Sequence, residues 1–476
     1  AVAASAILVA GLSGVDDRVA LVAAITLLTG VLFLLVALFK MGWIAQFLSK
    51  AVITGFLFGA AIEVVIGELP KITGTSTEGA NAWQKLLSWI ASLPETDRAT
   101  LLVGVISLVT IFGLRFVAPR VPGALVLVIG GLIASTVLGL GARGVARVGD
   151  VPRGLPSLAI PNLQFVGTNL PVIASAAIGL LLIGFSQSAG DARAFAAKHR
   201  YRVDINQESV AQGVANVGSG LVQGIPVSTS LSASSLNDTS GAKTPVASLT
   251  TGVLVILTLL LLAPLFSGLP KAVLAALIIE AVVMGMMDVS EMRRLHRVAR
   301  VDFWIALAAI LGVLSAGVLA GVLIGVLLSL GWLIYIASTP NIPILGRQPG
   351  TQAFRSLDEY PDSETYPGLL VLRFDAGLFF ASADALVDRV IELHHQAEPK
   401  LRIIVLDFAG VNFIDSQGAN VLSVLFDLAM SRGIELRLAR LKSEVRELLL
   451  RDGFIDRLGE DRIYGNVFEA AADQIL

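Results

Sequence analysis

Cysteine is absent from the 476 residues. That excludes disulfides, thiol nucleophiles and cysteine-held iron–sulfur clusters. Histidine occurs four times, at His199, His296, His394 and His395, and none stands in metal-ligand spacing with other ligand types, so no zinc site is expected. Charged residues are only 15% of the chain and aromatic ones 7%. With 35 basic against 37 acidic residues the net charge is −2, which gives no argument for a nucleic-acid partner. What is abundant is apolar: 55% of the chain, a mean hydropathy of +0.79, and runs of about 20 residues. That pattern predicts a polytopic α-helical membrane protein. The apolar character ends near Ser338. Beyond it comes a Pro-, Gly- and acid-rich stretch with one strand expected near Gln352–Leu357. Strands at Leu369–Phe374, Leu401–Leu406 and Glu435–Leu438 then alternate with helices at Ser382–Gln396, Gly418–Ser431, Ser443–Arg451 and Phe468–Ile475, as in a small α/β domain.

Spans are predicted at 19–39, 51–68, 99–118, 123–141, 169–190, 208–223, 245–266, 270–287, 302–319 and 321–338, with shorter pieces at 1–12 and 228–238. The run 1–12 is too short to cross a bilayer and has no basic segment before it, so it reads as the remainder of a membrane helix and not a signal peptide. Segment 80–92 is amphipathic and is expected at the outer interface with its tryptophans among headgroups. Basic residues cluster in Arg193–Arg202 and Arg293–Arg300, and Lys40 and Lys50 flank a third connector. All three connectors, and the C-terminal domain, fall on the cytoplasmic side if Gly224–Lys243 counts as one crossing. Arg143, Arg147 and Arg153 lie in a loop that this topology places outside.

Gly224–Lys243 interrupts the apolar pattern with small polar residues. Pro226 suits a helix start, and Ser228, Thr229 and Ser230 are N-cap types. A helix from Ser228 to Leu236 would rise only ~14 Å, about half a hydrocarbon core. Half-helices occur in membranes where they are buried in protein or line a cavity, and their free N–H groups then favour an anion. On its own the stretch is equally compatible with a polar loop between spans. Ionisable residues within spans carry a functional expectation: Glu63, Asp191 and Glu280 are the three here, as ion-coupling candidates. A helix-packing hydrogen bond for either glutamate, or a helix-end pair of Asp191 with Arg193, is the structural alternative. Glu63 and Glu280 follow similar runs, Ala51-Val-Ile and Ala272-Val-Leu, a hint of internal repetition.

Three stretches, Asn206–Asn216, Gly224–Pro245 and Leu269-Pro-Lys-Ala-Val-Leu-Ala-Ala276, resemble the sulphate permease (SulP) family of anion transporters. So do Leu48–Phe56 and Gly67-Glu-Leu-Pro-Lys71, and Phe413-Ile-Asp-Ser-Gln-Gly418 is similar to the centre of the STAS domain that such transporters carry. The resemblance implies a UraA-like inverted-repeat fold of about fourteen helices, in which two broken helices hold the anion between their N-termini. Here 228–238 would be the second broken helix and 1–12 most of the first, with the two helices before it absent. It further implies a membrane domain over 1–338 (core 1–39 and 169–266, gate 51–141 and 270–338), a linker over 339–368 and a cytoplasmic STAS domain over 369–476. The implied activity is secondary transport of an inorganic oxyanion, sulphate first, across the plasma (inner) membrane, coupled to H⁺ or Na⁺ or run as exchange. Bicarbonate, a dicarboxylate, channel behaviour and a transport-inactive STAS scaffold are the alternatives. No enzymatic step and no cofactor is implied, but a homodimer and a cytoplasmic partner for STAS are.

The anion-binding set expected from this resemblance is Gln187, Ser228, Thr229, Ser230, Ser232 and Ala233. Gln187 stands where family members usually have Glu, and Ala233 where they usually have Arg. An acid and a base are lost together. Asp191, one turn beyond Gln187 and on the same helix face, is therefore expected to take over the ionisable role. In the STAS part, Asp415 and Ser416 match the loop that carries a phosphorylatable serine in soluble relatives of the domain. A plain helix N-cap is the alternative there.

Overall fold

The computed structural model describes residues 15–42, 49–118, 121–150, 154–155, 157–230, 233–234, 237–238, 240–397 and 399–475. Two compact units divide the chain, residues 1–329 and 330–476.

The first unit is helical. Its helices are α1 (Val15–Leu38), α2 (Lys50–Thr73), α3 (Ala82–Ser92), α4 (Arg98–Val117), α5 (Gly123–Val137), α6 (Leu163–Thr168), α7 (Leu170–His199), α8 (Ile205–Leu221) and α9 (Val246–Leu257). After them come α10 (Lys271–Met286), α11 (Val289–Val298) and α12 (Arg300–Ala316), and the boundary helix is α13 (Val318–Ser338). Past Leu257, α9 continues through a π-helical turn, Thr258–Leu262, into a 3₁₀ stretch, Ala263–Gly268. Among the described residues seven helical stretches are long and apolar enough to cross a membrane, and Gly123–Val137 is a shorter apolar helix. The expected spans 302–319 and 321–338 are separate helices because Gly317 takes a left-handed φ of 86° between them.

Glycine sets the closest helix approaches. A Cβ on Gly30 of α1 would lie 2.7 Å from the Val217 backbone nitrogen of α8, and one on Gly220 of α8 would lie 2.6 Å from Leu27 of α1. Gly55 of α2 meets α12 in the same way, 2.4 Å from the Ala306 carbonyl oxygen. Small residues that let backbones touch are the usual basis of helix packing in lipid, where burial of apolar surface gives little drive. α1, α7 and α8 pack together as one group, and α2, α4, α5, α10 and α12 as another. In α3 the tryptophans tie down their helix: Trp89 Nε1 donates to Thr73 Oγ1 at 3.1 Å and Trp83 Nε1 to Ser315 Oγ at 3.2 Å.

The second unit holds a four-stranded parallel sheet in the order β3-β4-β5-β6, from Leu369–Arg373, Ile403–Asp407, Glu435–Ala439 and Ile463–Tyr464. A separate antiparallel pair, β1 (Leu345–Arg347) and β2 (Phe354–Ser356), precedes it within the segment expected to be a linker. Alternation along the strands sorts the core. Leu370, Leu372, Ile404, Leu406, Leu436 and Leu438 pack on one face with α14 (Asp384–Gln396), α15 (Ser416–Ser431) and α16 (Ser443–Asp452). Val371, Ile403, Val405 and Ala439 pack on the other with α18 (Val467–Ile475). All five residues of β4 are buried, as a parallel sheet covered on both sides requires, and the period of two decides only which face each side chain joins. The short helix α17 (Phe454–Leu458) and strand β6 were not expected from the sequence. Each is too short to show a period of its own.

Candidate functional site

Between Leu221 and Pro245 the chain leaves the helical ladder, and its backbone groups find side-chain partners. Asn216 of α8, fully buried, donates through Nδ2 to the Val227 carbonyl oxygen at 2.9 Å and accepts from the Val227 N–H at 3.0 Å. Ser219 Oγ donates to the Ile225 carbonyl at 2.7 Å, and Thr26 Oγ1 of α1 donates to the Gly224 carbonyl at 3.1 Å. This extended strand is therefore sewn to two helices, which answer backbone groups that no helical ladder pairs. Helical backbone resumes at 233–234 and 237–238. Ser230 opens it: its carbonyl accepts from Ser234 N at 2.9 Å and its Oγ from Ala233 N at 3.4 Å.

α7 lies alongside. A Cβ on Gly184 would lie 3.1 Å from the Phe33 ring of α1 and 3.5 Å from Ser228 Oγ, so α7, α1 and the strand meet at this glycine. Below this contact a cavity of about 920 Å³ opens, lined from α7 by Ser188, Asp191, Lys198 and His199 and from α8 by Glu208. The Gly224–Lys243 stretch closes it with Thr229, Ser234, Asp238 and Lys243. The hydroxyls of Ser188 and Thr229 are buried with no hydrogen bond of regular geometry, and the carboxyl that Thr229 faces is Asp191. Asp238 pairs with Lys198 and, at 2.8 Å, with His199 Nε2, joining the end of α7 to the end of the half-helix stretch. The arrangement offers hydroxyls, backbone N–H groups and charges of both signs around a space, which is binding chemistry.

The cavity thus brings Asp191 and Thr229 together. Ser230 and Ala233 are exposed on the same stretch, and Ser228 sits against Gly184; Gln187 is half-buried on α7 and does not line the cavity. Ser232 and the 1–12 segment lie outside the described residues. The two glutamates are elsewhere. Glu63 is buried on α2 with Oε2 unpartnered, and Glu280 on α10 accepts from Arg115 Nη1 of α4 at 2.5 Å, an ion pair between helices. Ser188, Glu208, Lys198, His199, Asp238 and Lys243 were missed by the sequence reading. For Ser188 the signal was available, because it is a further hydroxyl within one turn of Asp191.

Asp415 is the N-cap of α15, its carboxylate accepting from Gly418 N at 2.8 Å and from Phe380 N at 3.0 Å. Ser416 is the first helical residue and is exposed. Gly418 is required by contact, since a Cβ there would lie 2.3 Å from the Leu378 carbonyl oxygen. Among the described residues no group of three or more His, Asp or Glu could hold a metal ion.

The sequence profile of the Sulfate permease family matches residues 2–309, and that of the STAS domain matches residues 360–470. A probable sulfate transporter of Mycobacterium tuberculosis is 33% identical over 444 residues, 93% of this chain and 79% of that protein. The chloroplastic sulfate transporter 4.1 of Arabidopsis thaliana is 30% identical over 467 residues, 94% of this chain and 67% of that one. Among solved structures, the murine Slc26a9 anion transporter in its inward-facing state superposes with a TM-score of 0.87, covering 97% of this chain and 76% of that chain at 22% identity. The transmembrane domain of a cyanobacterium bicarbonate transporter gives 0.58 over 69% of this chain and 81% of that chain, also at 22% identity. At these identities the two structures speak for the fold.

Proposed function

Because the chain belongs to the sulfate permease family, whose members are multi-pass membrane transporters of small anions and not enzymes, we propose that it carries sulfate across the plasma (inner) membrane by alternating access. The observation that carries the reading is the buried, unpartnered Ser188 hydroxyl, together with the Thr229 hydroxyl that faces Asp191 in the same cavity. A buried polar group without a partner is costly unless something else satisfies it, and an oxyanion accepts from hydroxyls and N–H groups alike. Asp191 is the ion-coupling group, taking a proton or a sodium ion, and Ser228, Ser230 and Ala233 stand beside the cavity on the stretch that carries Thr229. The group α1, α7 and α8 with the half-helix stretch moves as a core against a gate of α2, α4, α5, α10 and α12. The STAS unit lies in the cytoplasm, the protein works as a homodimer, and Ser416 is a regulatory position where added phosphate would sit at a helix start.

The test is uptake of labelled sulfate and bicarbonate into proteoliposomes holding the full-length protein, with and without an inward proton gradient. Saturable sulfate uptake that rises with the gradient is expected. Bicarbonate uptake in its place would transfer the reading to that anion. No uptake of either by folded protein would leave the STAS unit as the working part of a membrane-anchored scaffold.

A further inference from the structure

We propose that α11 and the first turn of α12 form a binding site for the headgroup of an anionic phospholipid. Asp288 caps α11, accepting from Glu291 N at 2.8 Å and Ser290 Oγ at 2.7 Å. Glu291 and Leu295 face inward and are buried. The Glu291 carboxylate accepts from Arg294 at both Nε (2.8 Å) and Nη2 (2.7 Å) and pairs with Lys50 of α2 at 3.2 Å. Its charge is thereby answered. Arg293 and Arg297, four residues apart, form a stripe on the opposite side of the helix. The chain then turns at Ala299, and Arg300 opens α12. These three arginines are exposed and make no hydrogen bond or ion pair among the described residues. Of the neighbouring carboxylates, Asp288 is occupied in the cap, and Asp302, in the first turn of α12, is a single negative charge beside three guanidinium groups and pairs with none of them.

Apolar side chains share this surface. Val298 is 69% exposed and Trp304 63%, and Trp304 is reached from α11 by an edge-on aromatic chain, His296 to Phe303 at 4.9 Å and Phe303 to Trp304 at 5.7 Å. Both flanking helices are apolar along their length, so the connector stands where hydrocarbon gives way to headgroups. Tryptophan and valine in the open beside unpaired arginines suit that zone and would be costly in plain water. Guanidinium forks match phosphate oxygens two at a time. The occupant is a phospholipid with net negative charge, and its phosphate supplies the counter-charge that the protein lacks here. The inference rests on the membrane reading alone and is indifferent to which anion is carried.

Native mass spectrometry of the full chain in detergent, titrated with phosphatidylglycerol or phosphatidylcholine, tests it. The wild type is expected to retain phosphatidylglycerol in preference. Replacing all three arginines (R293Q, R297Q and R300Q together) should weaken that retention on the order of 100-fold, from about fivefold per surface arginine, and leave phosphatidylcholine retention unchanged. R297Q alone should give about fivefold, which keeps the test open if the triple variant does not fold. Equal retention of the two lipids by the wild type, or undiminished phosphatidylglycerol retention by the variants, would overturn the site. Displacement of the lipid by millimolar inorganic phosphate would overturn it too, by marking the surface as a site for a soluble anion.

Discussion

Asp191 shares its cavity with two buried hydroxyls, two ammonium groups and an imidazole, so a single substitution can separate coupling from binding. Asp191→Asn is expected to keep sulfate binding and to abolish the gradient-driven part of uptake in proteoliposomes; stimulation surviving at the wild-type level would remove Asp191 from that role. Glu280 asks the opposite question. Its carboxylate is engaged by Arg115 between two helices, and Arg115 is half-exposed, so screening holds the pair to about 1 kcal/mol. Glu280→Gln should therefore lower the melting temperature by a few degrees and leave gradient-dependent uptake per folded molecule intact, as read by fluorescence-detected size exclusion alongside transport. A loss of coupling would return Glu280 to the site. Asn216→Ala is the severe case: it removes both partners of the Val227 backbone, at about 0.5–1.5 kcal/mol for each hydrogen bond, and empties a fully buried position. A large fall in thermal stability together with uptake is expected, measured on the same sample.

At the scale of elements, most of this architecture was legible in the chain. Apolar runs of span length located α1, α2, α4, α7, α9, α10 and α13, and the alternation from Leu369 onward located β3, β4 and β5 within one or two residues. Proline at 226 and the hydroxyls behind it marked the break in the helical ladder. Other elements were hidden for physical reasons. α11 carries an apolar residue at every third position, Val289, Met292, Leu295 and Val298, but its three arginines and its ten-residue length make it read as a basic connector. β1 is three residues long and takes its partner from β2, seven residues further on. The clasp on Val227 depends on one asparagine 11 residues away, a pairing that no local pattern encodes. At α15 the sequence left Ser416 and Asp415 as equal candidates for the cap; the carboxylate takes it, since it reaches both Gly418 N and Phe380 N. Asp415→Ala should then cost about 0.5–2 kcal/mol and raise proteolysis near Phe380, whereas Ser416→Ala should change neither.

The two units respond differently to conditions. In the STAS unit, Arg437 donates to Asp473 at 2.6 and 2.8 Å and holds its carboxyl below the ordinary aspartate range, against a small opposing effect of burial. A depressed folded value means that this contribution is complete above the unfolded aspartate pKa of about 3.9 and is lost as pH falls through the lower, folded value. The STAS transition in a thermal melt should accordingly move down between about pH 4 and the folded value, and Asp473→Asn should flatten that part of the profile. In the membrane unit, family membership and the fold were recoverable because motifs and spans run the length of the chain. The anion was not: tetrahedral and planar oxyanions both accept from hydroxyls and N–H groups, so residue types alone do not separate them.

The stitching of Gly224–Val227 to Asn216, Ser219 and Thr26, with Asp238 held by Lys198 and His199 at the far end, ties the stretch to α1, α7 and α8. On the proposed transport cycle it is carried wherever those three helices travel, like a chair bolted to a lift cage. A tether thrown between α1 and α8 should thus leave traffic running, while a tether from α8 to α2 should stall it with the cargo aboard. These 476 residues hold no cysteine, so neither tether competes with a thiol native to them.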